Sequence, residues 1–101
     1  VLHCYKAALQ ISDHPAIMVL SRQNVPTFDR SNMGPAANAA KGGYTLIDCQ
    51  GTPEVILMGS GSELTLCVDA AAILTKNGVK VRVVSMPCME LFAQQDQAYR
   101  D

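Results

Sequence analysis

The chain has 101 residues, a net charge of −1 and no tryptophan. Hydrophobic residues make up 49% and charged residues 17%, a balance that suits a packed α/β domain and argues against disorder. The eight Lys and Arg residues form no run, so no basic footprint for nucleic acid is visible. No apolar stretch reaches the roughly 18 residues of a membrane span.

Residues 1–10, VLHCYKAALQ, place Leu2, Tyr5, Ala8 and Leu9 at helical spacing and predict the end of an amphipathic helix. Pro15 disfavours helical geometry at His14 and stops it. Ala16 to Leu20 is an unbroken apolar run, short enough to predict a buried strand. From Arg22 to Gly43 the pattern gives way to Pro26, Gly34, Pro35, Gly42 and Gly43. A structureless loop of that length is uncommon inside a domain, so this stretch is expected to link two domains. The boundary is placed near residue 33, giving units 1–33 and 34–101. The start, Val-Leu-His-Cys, lacks an initiator methionine and the features of a signal peptide. The chain is therefore expected to begin in mid-sequence, as a piece of a larger protein.

Beyond the linker, Tyr44 to Ile47 predicts a short strand and Gly51-Thr52-Pro53 a turn. Glu54 to Met58 predicts a second, buried strand. Gly59-Ser60-Gly61-Ser62 follows at once, and Glu63 to Asn77 reads as a helix with Leu64, Cys67, Val68, Ala71 and Leu74 on one face. Ser60 and Glu63 match a capping box, with Ser62 as the alternative cap. Gly78 supplies the helix stop. Val79 to Val84 predicts a third strand, and Glu90 to Arg100 the start of a second helix. Strand, tight turn, helix, strand makes a βαβ unit with parallel strands. The expected fold class is thus α/β: a partial parallel-sheet, Rossmann-like unit, preceded by a helix–strand piece of a neighbouring α/β domain. Cys4, Cys49, Cys67 and Cys88 include no C-x-x-C pair, which argues against zinc and for reduced thiols in an intracellular protein.

Two places are candidates for chemistry. The Gly59, Ser60, Gly61 and Ser62 turn opens a helix, where free N–H groups and the dipole suit an anion. It matches neither a dinucleotide nor a P-loop fingerprint, and close packing explains small residues there more simply. Arg22 directly follows the apolar run, at the carboxyl end of the expected strand, where open α/β sheets bind ligands. A guanidinium there suits a phosphate; an exposed loop arginine is an equal reading on position alone. His3, His14 and the nine acidic residues show no triad or metal spacing.

The segments AIMVLSRQNVP (16–26), KGGYTL (41–46), PEVILMGSGSEL (53–64) and VKVRVVSMPCMELFAQQDQAYR (79–100) run in order along nearly the whole chain. Together they resemble transketolase; residues 28–40 carry little of the likeness. The resemblance implies a fragment of a transferase of the pentose phosphate pathway. Such enzymes move a two-carbon ketol unit between sugar phosphates, with thiamine diphosphate and a divalent cation, Mg or Ca, and act as homodimers. Residues 1–33 would end the pyrimidine-binding domain and residues 34–101 would begin the C-terminal domain. Arg22 matches the arginine of the family's Ser-Arg-Gln motif and would bind substrate phosphate. The cofactor and metal motif, the activating glutamate and the sugar-binding histidines have no counterpart in these residues. The isolated piece is thus expected to be inactive and to hold no cofactor. By the same comparison the Gly59–Ser62 turn would be structural or, at most, regulatory. Two readings compete: a related dihydroxyacetone synthase, and a module that binds a regulatory phosphate or nucleotide at that turn. The expected location is the cytoplasm or an organelle such as the plastid.

Overall fold

The computed structural model describes residues 1–101. Three strands make its sheet: β1 (Tyr44–Ile47), β2 (Val55–Gly59) and β3 (Val81–Ser85), in the order β1-β3-β2. β2 and β3 run parallel in unbroken register, from Val55 opposite Val81 to Gly59 opposite Ser85. The helix α2 (Glu63–Lys76) joins them, so the expected βαβ unit is present. Its parallel pairing follows from the helical crossover, which returns the chain to the same end of the sheet.

β1, whose direction the βαβ pattern leaves open, runs the other way. It pairs with β3 antiparallel, Tyr44 opposite Ser85, and the register slips between Thr45 and Ile47. The sheet is therefore mixed, with an antiparallel edge strand on a parallel pair, as many α/β sheets are.

β3 is central and its burial alternates. Val81, Val83 and Ser85 are buried, whereas Arg82 and Val84 are partly exposed. Val83 and Leu46 are the most fully enclosed large side chains, at 0% and 1% exposure. Burying each contributes about 1.5–3 kcal/mol. Against this face α2 lays Leu64, Cys67, Val68, Ala71 and Leu74, the stripe that helical periodicity marks out. Gly59 allows that close approach, since a Cβ on it would stand 2.9 Å from the Cys67 Sγ and 3.2 Å from the Leu64 Cα.

The linker is more ordered than its composition predicts. Two 3₁₀ turns, Arg30–Asn32 and Ala36–Lys41, punctuate it. The Asp29 carboxylate accepts the Ser31 N–H at 3.1 Å and caps the first. Pro35, with φ fixed at −63°, leads into the second, and Gly42 ends it at φ +83°. The Gly34 N–H donates to the Leu46 carbonyl at 2.8 Å. Phe28, Met33 and the buried Ala39 pack on the core, so from about residue 28 the chain already lies against the sheet. The helix α1 (Leu2–Leu9) rests against the second 3₁₀ turn through its Cys4 side.

The strand expected at 16–20 is absent. Ile17 and Val19 are 87% and 92% exposed and pair with nothing. An apolar run encodes burial, but a strand exists only through its ladder, and none of the three strands lies beside this one. The expected helix at 90–100 is also split, into α3 (Met89–Ala93) and α4 (Gln97–Arg100). Asp96 breaks it: its carboxylate accepts the Tyr99 N–H at 2.9 Å and starts a new cap.

Candidate functional site

Arg22 sits on the exposed segment without regular secondary structure that follows α1, not at the end of the strand expected before it. The two ion pairs of the chain, His14–Asp13 and Arg82–Asp48, leave it unengaged. Its five N–H donors are thus free for a ligand, in the fork geometry that matches phosphate oxygens.

The Gly59–Ser62 turn leaves the end of β2 and enters α2 at Glu63. The capping box expected between Ser60 and Glu63 does not form. Ser62 occupies the N-cap in helical geometry, φ −67° and ψ −20°, and no side chain caps the helix. The turn's own backbone takes the first N–H groups instead. The Ser60 carbonyl accepts from Glu63 and the Gly61 carbonyl from Leu64, each at 3.3 Å. Glu63 adds a carboxylate to the first helical turn, which neutralises the dipole's attraction for an anion. The geometry favours packing over anion capture.

The two candidates lie close together. A Cβ on Gly61 would stand 3.4 Å from the Ser21 hydroxyl, with no other neighbour within 4 Å. Ser21 directly precedes Arg22, so the tip of the turn faces the arginine loop. Sequence reasoning treats the two features separately, because no spacing rule links positions so far apart in the chain.

The remaining candidates stay dispersed. His14 Nδ1 lies 2.7 Å from Asp13 Oδ1, and both side chains are exposed. No three His, Cys, Asp or Glu side chains converge on a point, so these residues offer no donor set for a cation. The four cysteines are free thiols. No helix is long and apolar enough to cross a membrane.

A family model described as the transketolase-like C-terminal domain matches residues 42–101. The chain belongs to that transketolase family. Transketolase 2 of Aliivibrio fischeri is 48% identical over 97 residues, which cover 96% of this chain and 14% of that relative. Among solved structures, the transketolase of Leishmania mexicana superposes with a TM-score of 0.85 at 37% identity. It is matched over 97% of this chain and 14% of its own length. The Pichia stipitis transketolase in complex with sedoheptulose-7-phosphate gives 0.83 at 37% identity, with the same two coverages. The transketolase segment described here thus spans about a seventh of the relatives it matches.

Proposed function

We propose that these residues serve a full-length transketolase, which transfers a two-carbon ketol unit between sugar phosphates, and that Arg22 holds the substrate's phosphate. Residues 1–33 would complete the pyrimidine-binding domain and residues 34–101 open the C-terminal domain. The observation that carries the reading is a free, exposed guanidinium in the Ser21-Arg22-Gln23 motif of a chain whose relatives are transketolases. Thiamine diphosphate would supply the electron sink for the ketol carbanion. Its holders, and those of its divalent cation, would lie outside these 101 residues, as would the facing subunit of a homodimer.

Arg22 works at a distance from the reacting carbonyl. A two-pronged contact to phosphate fixes the far end of the sugar, and that binding energy orients the near end. Such a contact is made equally in the ground state and the transition state, so its loss raises KM more than it lowers kcat. Arg22→Ala in the full-length enzyme is expected to raise KM for a phosphorylated ketose about 10- to 100-fold, the range of a lost charge-assisted bond. KM for an unphosphorylated donor should hardly move. An unchanged KM for sugar phosphates would refute the assignment.

A further inference from the structure

We propose that Gly61 is a positioning residue for Arg22: the bare backbone of the Gly59–Ser62 turn leaves Ser21 its place and so sets where the neighbouring guanidinium stands. The inference rests on the reading of Arg22 as the phosphate ligand and adds to it what places that ligand.

Ser21 and Arg22 lie on an exposed segment that pairs with no strand. A long arginine on such a segment has many conformations to lose before it meets a phosphate. The turn is held far more firmly. Gly59 is the last ladder residue of β2, opposite Ser85, and its carbonyl accepts the Met86 N–H at 2.9 Å. Four residues later α2 begins. Gly61, at the tip, has φ +60°, and a Cβ there would find the Ser21 Oγ at 3.4 Å and nothing else. The rigid unit therefore faces the arginine loop one residue before Arg22, across a gap that the first carbon of a side chain would already close. A larger group at this tip would displace Ser21 and carry Arg22 with it. Displacement of a ligand-holding group by an ångström can cost about 100-fold.

The test uses the full-length enzyme, with a phosphorylated ketose and its unphosphorylated counterpart as donors. Gly61→Leu is expected to raise KM for the phosphorylated donor about tenfold, with kcat and the unphosphorylated reaction little changed. Gly61→Ala brings only a methyl to ordinary contact distance and should restore near-parental KM. Gly78→Leu is the control. Gly78 lies just past the other end of α2 at φ +81°, with open space around it, so it bears the same backbone strain without touching Ser21. If Gly61→Leu does not fold, Gly61→Asn serves, because asparagine tolerates left-handed geometry and still reaches toward Ser21. Equal effects on both donors, or equal effects of the Gly61 and Gly78 variants, would overturn the positioning role. Arg22→Ala is measured alongside. If it raises the phosphate KM while Gly61→Leu and Gly61→Asn do not, the positioning inference alone fails. If it leaves that KM unchanged, the assignment of Arg22 fails first.

Discussion

The Arg82 guanidinium on β3 holds the Asp48 carboxylate, just past β1, from the side: Nε donates to Oδ1 at 2.8 Å and Nη2 to Oδ2 at 3.4 Å. The pair clamps two antiparallel neighbours just where their register slips, between Thr45 and Ile47. Both side chains are partly exposed, at 32% for Arg82 and 52% for Asp48, so the pair contributes about 0.2–1 kcal/mol.

That pair gives the strand edge a pH dependence. The Arg82 hydrogen bond, followed by the Cys49 N–H, holds the Asp48 carboxyl below its ordinary range. A depressed folded pKa means stability that is present above the unfolded value and lost as pH falls through the folded one. Asp48→Asn should therefore lower hydrogen-exchange protection of Tyr44–Ile47 at neutral pH. The gap between variant and parent should close on acidification. A gap that stays constant into the acid range would show that the carboxylate is not the titrating group.

Gly42 and Gly78 share a left-handed backbone, at φ +83° and +81°, but not their surroundings. Around Gly78 there is open space, whereas a Cβ on Gly42 would collide with the Phe92 nitrogen and the Cys88 carbonyl oxygen. Gly78→Ala should cost only the backbone term, about 1–2 kcal/mol. Gly42→Ala should cost that plus about 1–3 kcal/mol of overpacking, because backbone atoms cannot rotate away. Exchange protection around α3 reads the difference; equal losses would mean that α3 shifts freely.

Tyr99 ties the C-terminal turn to the strand entry. Its hydroxyl donates to the Gly43 carbonyl at 2.7 Å, and the Lys41 ammonium sits 4.7 Å from its ring centre. Burial raises its phenol above the ordinary value. The phenolate is thus disfavoured in the folded protein, so this contribution is full below pH ~10 and lost as pH rises through the raised folded value. Tyr99→Phe should cost about 1 kcal/mol, since the Gly43 carbonyl loses its donor. In an ultraviolet titration, the parent-minus-variant difference should show one tyrosine ionising later than a free phenol. A midpoint at the ordinary value would contradict the burial.

What the residues disclose depends on the reach of each signal. The α2 stripe from Leu64 to Leu74 is local and periodic, and it appears as expected against β2 and β3. The direction of β1 is not local. Tyr44–Ile47 reads the same whether its partner runs up or down, and only the pairing with β3 decides. The Ile17–Val19 run shows the limit of hydrophobicity as a signal, because it states a need for cover without naming the cover. Ser60 and Glu63 have the spacing of a capping box, yet the carbonyls of Ser60 and Gly61 reach the helix N–H groups first. Arg22 is legible only through its motif, and the nearness of Ser21 to the Gly61 turn only through the fold.

The strand order carries a consequence for biosynthesis. β3 lies between β1 and β2, yet it is the last of the three to leave the ribosome. β1 and β2 do not pair with each other, so neither has a ladder to join until residues 81–85 emerge. Until then two apolar strands and the α2 stripe are held open together, a species prone to association. The sheet can then form only through its central strand, and substitutions that slow β3 docking should tell first in the yield of soluble protein.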